Sequence, residues 1–335
     1  MRVKGERQTI SSKWNDMKRI HYWLCLCVLC VILSAGCSHS TSADDLATSG
    51  WIATASETPG ATSTPWPAST PTNELAPTLD PAAWMSMPVI PGSVSERTLE
   101  IYAAGQALGN DPHAFSRMGD CDSQPFSFLG DFDEGPGAYV LGDDYAYLQV
   151  VIDYFQGSYG RTGVVAKDGF STASALSPLW ADPDLCEVNE TPLACEVRLH
   201  KPAFMLILLG TNDYHVPERF ERNMPVILDF LVQNGVVPIL ATKADNLESD
   251  HSINEAIAML AYEYQVPLWN YWLAVQSLPN HGIRTDNNYT PTHPGFEDHL
   301  PNDFTDPWKM TFGFPIRNLT ALQMLDLVMR SVNSH

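Results

Sequence analysis

Short, almost continuous apolar runs recur along the C-terminal two thirds of the chain. They cover residues 113–118, 162–166, 203–209, 236–242 and 266–270. The first run is the least apolar. It is included because a turn and another strand–helix unit follow it. Short apolar runs suit strands that are buried on both faces of a parallel sheet. The pattern therefore predicts a parallel sheet of about five strands.

Stretches with helical spacing alternate with these runs. They cover residues 145–155, 216–235, 251–265 and 317–332. In the last stretch Leu319, Leu322 and Leu325 share one face, and Asn318 is the expected N-cap. Alternating strands and helices predict an α/β fold, a three-layer α/β/α sandwich with a flavodoxin-like sheet.

Residues 1–37 have the pattern of an export signal. Basic residues precede the apolar run "YWLCLCVLCVIL", and the small-residue ending "SAGC" follows it. That run has about 15 residues, fewer than the roughly 20 of a membrane-spanning helix. The ending resembles a bacterial lipobox, although Ser34 stands where leucine is usual, and the resemblance implies lipidation of Cys37. An uncleaved signal anchor is the alternative, and both interpretations predict an extracytoplasmic, membrane-anchored protein.

Two further parts follow the signal. Residues 38–80 are rich in Ser, Thr, Ala and Pro without apolar periodicity, which predicts a disordered tether. Residues 81–335 form the predicted globular part, and their number suits one α/β domain.

The amino-acid composition limits the kinds of molecule that the chain can bind. The chain carries 19 basic and 39 acidic side chains, a formal net charge of -20. Because nucleic-acid binding needs clustered Lys and Arg, this balance argues against a nucleic-acid partner. It also disfavours contact of the folded surface with anionic lipid. We expect a monomer that meets the membrane only through its N-terminal anchor.

The seven cysteines fall into three groups. Four lie in the signal region, at positions 25, 27, 30 and 37. Cys186 and Cys195 bracket a polar stretch, and an oxidising compartment would favour a disulfide between them. Cys121 has no evident partner.

Candidate functional groups follow the apolar runs, because functional groups of doubly wound sheets collect at the carboxyl ends of the strands. The sequence Gly119-Asp120-Cys121 follows the first run, and Gly169 follows the second. "GTND", residues 210–213, follows the third, and His293 and His299 lie in a loop after the fifth.

This order resembles the SGNH/GDSL hydrolase superfamily, named for a serine, a glycine, an asparagine and a histidine in four blocks. "GTND" is the most specific match, and the first block matches at Gly119 and Asp120, with Cys121 in the place of serine. The resemblance covers residues 114 to 330 and implies an ester hydrolase without a cofactor.

The resemblance also implies roles. Acyl transfer needs a nucleophile, a base and donors for the oxyanion. Cys121 would be the nucleophile, and the N–H groups of Cys121 and Gly169 with the Asn212 amide would be the donors. Two alternatives stay open: Cys121 fills the serine's place without reacting, or Ser123 has taken over the role.

The histidine block departs from the family pattern, which has aspartate three residues before histidine. Phe296 precedes His299 at that spacing, and Thr290 precedes His293. His299 is the preferred base, with Asp286 supporting it across a longer loop, and His293 is the alternative. A metal site formed by His293, Asp298 and His299 is a weaker hypothesis, and no metal is expected.

The sequence thus predicts hydrolysis of ester-linked acyl groups on carbohydrates or small lipids, with a small-molecule or glycan ester as partner. The alternative is a weakly active or inactive module of the same fold that binds glycan or cell-wall ligands. The cysteine in place of serine and the missing aspartate favour that alternative.

Overall fold

The computed structural model describes residues 80–295 and 300–334. Their six strands are β1 (Asp111–Gly119), β2 (Tyr139–Val140), β3 (Pro202–Leu208), β4 (Val237–Ala241), β5 (Leu268–Trp269) and β6 (Asn302–Asp303). Four of them form a parallel sheet in the order β1-β3-β4-β5, and β2 pairs with β6 in a separate parallel ladder. The mixed α/β fold with a parallel sheet is confirmed.

The predicted strand at 162–166 is wrong. This segment meets β1 at a single bridge between Gly119 and Ala166. The N–H of Val164 donates instead to the buried carboxylate of Glu196, at 2.7 Å. A side chain therefore takes a backbone donor that a regular strand would give to its neighbour. The bridge still places residues 162–166 on the outer side of β1. The order across the sheet is therefore 162–166, β1, β3, β4 and β5, which is the flavodoxin-like order.

Helices cover the sheet in two groups. They are α1 (Glu96–Leu108), α2 (Gly142–Tyr145), α3 (Gln149–Tyr154), α4 (Thr172–Ala175), α5 (Pro192–His200), α6 (Pro217–Gln233), α7 (Ser252–Tyr264), α8 (Tyr271–Val275) and α9 (Gly313–Asn333). Helices α1, α3 and α8 pack with α9, while α4 packs with α5 and α6, and α6 packs with α7. On β3, Phe204 meets Tyr102 of α1 and Phe155 after α3. The three-layer arrangement buries both faces of the sheet.

The last helix begins earlier than its sequence predicts. Helix α9 starts at Gly313, so Asn318 lies inside it and is not an N-cap. The Asn318 side chain is buried, accepts a hydrogen bond from the Leu129 N–H and donates to Asn302 Oδ1. It joins α9 to the loop at Leu129 and to strand β6 instead of ending the helix.

The disulfide between Cys186 and Cys195 is confirmed, with the two Cα atoms 5.3 Å apart. It closes the loop that precedes α5. Because Cys195 is buried within α5, the bond fixes this loop to the core.

The predicted signal, residues 1–37, and all but the last residue of the predicted tether lie outside the described residues. The first described element is a short 3-10 helix, Ala83–Ser86, with Trp84 buried in it. In the described part of the chain, no helix has both the length and the apolar character to span a bilayer.

Candidate active site

Cys121 lies in a tight turn directly after β1. Asp120 caps this turn, because its Oδ1 accepts a hydrogen bond from the Asp122 N–H at 3.0 Å. A Cβ on Gly119 would lie 2.1 Å from the hydroxyl oxygen of Ser123, so glycine is needed for the chain to fold back here. The turn holds the half-buried Cys121 at the carboxyl edge of the sheet.

Ser123, the alternative nucleophile, is 1% exposed. Its side chain packs back against Gly119 and lines a small cavity of about 40 Å³, which Cys121 does not line. Cys121 lines a separate, larger cavity. The turn thus presents Cys121 to the larger cavity and turns Ser123 inward.

The segments that resemble the family's second and third blocks meet this turn. Gln124 donates a hydrogen bond to Asp168 at 2.9 Å, which ties the Cys121 turn to the loop carrying Gly169. The Asn212 side-chain amide donates to the Phe170 carbonyl at 3.2 Å, which ties in the "GTND" turn. The three segments therefore converge at one edge of the sheet.

Asp213, the last residue of "GTND", supports this convergence. It is buried, and its carboxylate accepts hydrogen bonds from the Thr172 N–H and hydroxyl, the latter at 2.6 Å. Burial raises the pKa of Asp213, and the bonds from Thr172 oppose that rise. Asp213 thus joins the third block to the first residue of α4.

Three N–H donors are available in these joined segments. Among the described residues, the backbone N–H groups of Cys121 and Gly169 donate to no partner. Gly169 has φ +69°, a conformation that favours glycine, and only the Trp180 ring lies within 4 Å of where its Cβ would be. The Asn212 amide has a second hydrogen besides the one bound by Phe170. These are the groups that an oxyanion site requires.

The charges around Cys121 oppose its ionisation. Burial raises the pKa of its thiol to about 11, and the carboxylates of Asp120, Asp122 and Asp168 add to this rise. A pKa about four units above neutrality leaves about one thiol in ten thousand ionised at pH 7. Cys121 is therefore a neutral thiol at rest.

Asp120 and Asp122 form an acidic pair beside the thiol. One oxygen of each carboxylate and the Cys121 Sγ lie within 4.8 Å of one another. Burial and the charge of Asp122 raise the pKa of Asp120 to about 7, against the opposing charge of Arg317. Burial also raises the pKa of Asp122, opposed by Arg317 and a hydrogen bond from Thr290. Because like charges this close disfavour double ionisation, Asp120 takes up a proton near neutral pH.

His293 lines the larger cavity together with Cys121. The Gly295 N–H donates a hydrogen bond to its Nδ1 at 3.0 Å, and Phe314 packs against its ring. In a neutral imidazole with Nδ1 as acceptor, Nε2 carries the proton. His293 would therefore have to change tautomer before its Nε2 could accept a proton. His299 and Asp298 lie outside the described residues.

Asp286, the predicted support of His299, is held by a neighbouring arginine. Its exposed carboxylate pairs with Arg284 through both oxygens, which lowers the pKa of Asp286. It does not line the cavity that contains Cys121 and His293. Thr290, at the position of the family's aspartate before His293, bonds through its hydroxyl to Asn287 and to Asp122.

The larger cavity has a volume of about 500 Å³, enough for a small-molecule ligand. Its lining residues are Cys121, Asp122, Phe126, Ser127, Arg284, Thr290, Pro291, Thr292, His293, Phe312, Phe314 and Arg317. Sequence reasoning missed both arginines and all three phenylalanines. They come from separate elements, so no local motif marks them.

Comparisons with known proteins find only distant structural similarity. No protein-family model and no curated protein matches the sequence. A structure of a GDSL-like lipase from Bacteroides thetaiotaomicron is similar with a TM-score of 0.40 and 16% sequence identity. The match covers 69% of this chain and 98% of that chain. The function proposed below therefore rests on the residues of this chain.

Proposed function

We propose that this protein is an SGNH-type hydrolase of esters, acting on acyl groups attached to carbohydrates or small lipids. One observation carries the proposal. Cys121, Gly169 and Asn212 lie in three turns that hydrogen bonds tie together at the carboxyl edge of the sheet, and Cys121 lines a cavity that fits a small ester. Nucleophile and oxyanion donors are the parts that acyl transfer needs.

The reaction starts from the neutral thiol. Cys121 Sγ attacks the ester carbonyl carbon as a histidine takes the thiol proton, and the carbonyl electrons move onto its oxygen. The N–H groups of Cys121 and Gly169 and the Asn212 amide stabilise this oxyanion. When the C–O bond breaks, the leaving alkoxide takes the proton from the histidine. Water then cleaves the thioester, releasing the acid and restoring the thiol.

We assign the base to His299, with His293 as the second candidate. His293 lies in the right cavity, but its Nδ1 accepts the Gly295 N–H, which leaves the proton on Nε2. That tautomer suits a donor better than a base. Asp286 pairs with Arg284, so it would have to leave that pair to support the base.

The test is turnover of short-chain aryl esters by Asn212→Ala. Loss of one oxyanion donor costs about 10²–10³ in rate, so this variant should be nearly silent while remaining folded. Asn333→Ala, at the exposed end of α9, is the matched control and should keep full activity. Equal rates for the two variants would refute the oxyanion assignment.

A second candidate function is binding without turnover. The raised pKa of Cys121 favours it, because a thiol surrounded by carboxylates is a weak nucleophile at rest. Cys121→Ser distinguishes the two candidates, since it places the family's residue in the same turn. If wild type, Cys121→Ser and Cys121→Ala are all inert on a broad ester panel, the binding function replaces hydrolysis.

We also propose that the protein is exported and anchored to a membrane through a lipid on Cys37. The basic N-terminus, short apolar run and "SAGC" ending support this location. An extracytoplasmic site agrees with the disulfide, because such bonds persist in oxidising compartments.

A further inference from the structure

Two arginines border the cavity beside Cys121, in a chain whose formal net charge is -20. We propose that the cavity selects esters carrying an anionic group, a carboxylate or a phosphate, which pairs with Arg317 and Arg284. This inference rests on the proposed function for its account of the ester. The anion selectivity itself is a binding property and can be tested without turnover.

Arg317 is a buried cation with only neutral acceptors. It is 4% exposed, and its Nη2 donates to the carbonyl oxygens of Asp122 and Ser127, both at 2.7 Å. Among the described residues, no carboxylate lies within 4.0 Å of its guanidinium. Its Nε is buried without a partner, and Nη1 makes no hydrogen bond to the described part of the chain.

Burying a charge without a counter-charge is costly, and buried charges are normally paired. The Phe128 ring, 4.8 Å from the guanidinium carbon, compensates Arg317 only in part. The field of Arg317 does reach Asp122, whose pKa it lowers, but the two groups are not in contact. An anionic ligand group in the cavity would complete the coordination of Arg317.

Arg284 reaches the same cavity from another element. It begins a tight loop closed by the bridge between Ile283 and Pro291, and its N–H donates to the Thr290 carbonyl. Its guanidinium is bound to Asp286 on the exposed side. An exposed ion pair is only weakly stabilising, so an anionic ligand can compete with Asp286 for Arg284.

The balance of charge in the cavity differs from that of the whole chain. Against the two arginines, Asp122 is the one carboxylate among the described lining residues. The acidic surface repels anions in general, so binding depends on contacts inside the cavity. The phenylalanines at positions 126, 312 and 314 provide apolar surface for the rest of the ligand. The cavity therefore fits a ligand that carries one anionic group and is otherwise about the size of one ring.

The experiment measures binding of galactose, galacturonate and galactose 6-phosphate by calorimetry at low ionic strength. Wild type should bind at least one anionic sugar about tenfold or more tighter than galactose, as expected for a charge-assisted pair. The affinities for galacturonate and galactose 6-phosphate show whether a carboxylate or a phosphate is preferred. Addition of salt should reduce the difference.

Substitutions in the exposed pair of Arg284 and Asp286 should change this selectivity in opposite directions. Arg284→Gln should weaken binding of the preferred anionic sugar, and Asp286→Asn should strengthen it by freeing Arg284. Arg97 and Glu100 form a comparable exposed pair on α1, so Arg97→Gln and Glu100→Gln are matched controls that should change nothing. These tests do not require Arg317 variants, which would disturb two loop carbonyls.

The inference would be overturned if wild type bound the three sugars with equal affinity. It would also be overturned if Arg284→Gln and Arg97→Gln changed the affinity for the anionic sugar equally. Anion selectivity without turnover of any ester would support it while refuting hydrolysis. Ester turnover with no preference for anionic sugars would refute the inference and leave hydrolysis standing.

Discussion

Cys121 differs from an activated cysteine nucleophile because burial and three carboxylates hold its pKa near 11. We therefore expect its alkylation by iodoacetamide to be slow at pH 7 and to rise steadily up to pH 11. Asp168 is exposed, so Asp168→Asn should lower this pKa and speed alkylation at neutral pH. Asp143→Asn, an exposed aspartate at the start of α2, is the control. A rate that already levels off near pH 8 would contradict this account.

Asp120 should make the fold less stable as the pH rises. Its pKa is 3.8 in the unfolded reference and about 7 in the fold, so the folded state binds more protons between these values. Stability then falls as the pH rises from about 4 to about 7, by about 1.4 kcal/mol per unit of pKa shift at most. Asp120→Asn keeps the oxygen that caps the turn and should flatten this slope in urea unfolding. An unchanged slope would show that the carboxyl is ionised in the folded protein at all these pH values.

Substitution can show which of the two histidines, His299 or His293, is the general base. If His299 is the base, His299→Gln should reduce ester turnover by about 10²-fold or more, the usual loss for a general base. His293→Gln should have a smaller effect, because the Gly295 N–H already occupies Nδ1. Turnover measured against pH for both variants checks this. The reverse order of effects would assign the base to His293.

At the scale of elements, the disulfide fixes a loop beside the candidate site. The loop between α4 and α5 carries Trp180, whose ring borders Gly169, and the bond from Cys186 to Cys195 closes its far end. For a loop this short, the chain-entropy model gives about 2–3 kcal/mol of stabilisation. Replacing both cysteines with serine should reduce the free energy of unfolding by that amount. Reductant should destabilise wild type equally and leave the double variant unchanged.

The strands that sequence predicts correctly are those whose residues are buried on both faces. In β3 and β4 burial is almost continuous, so the apolar run directly marks the strand. The run at 162–166 fails because the Glu196 carboxylate takes the Val164 N–H, a contact from a distant helix. Helix α1 was missed, although Ser95 caps its start and Gly109, in the left-handed conformation, ends it. Those capping signals could have found it.

At the scale of the whole molecule, the sequence predicts which blocks meet but not what surrounds them. Cys121 and Asn212 follow strand ends and Gly169 follows the segment bridged to β1, so topology brings them together. Arg284 and Arg317 reach the cavity through a loop and a helix with no shared motif. The pKa of Cys121 likewise depends on carboxylates that only the folded chain assembles.

The location of the whole protein is tested at Cys37. Cys37→Ser should release the protein from the membrane fraction or block its processing, because lipid attachment needs the thiol. Fractionation and intact mass measure this, with Cys27→Ser, in the apolar run that precedes Cys37, as the control. A Cys37→Ser protein that stays membrane-bound at unchanged mass would remove the lipoprotein hypothesis.

The central claim is that the sheet edge around Cys121 stabilises an acyl-transfer transition state. The most direct measurement is the rate at which an aryl acetate transfers its acetyl group to Cys121, followed by mass spectrometry of the peptide that carries it. Wild type should be acetylated about 10²–10³ times faster than Asn212→Ala, the effect of one oxyanion donor, while Asn333→Ala should match wild type. Equal acetylation of Cys121 in wild type and Asn212→Ala would mean that it reacts as an ordinary thiol, and the account would be contradicted.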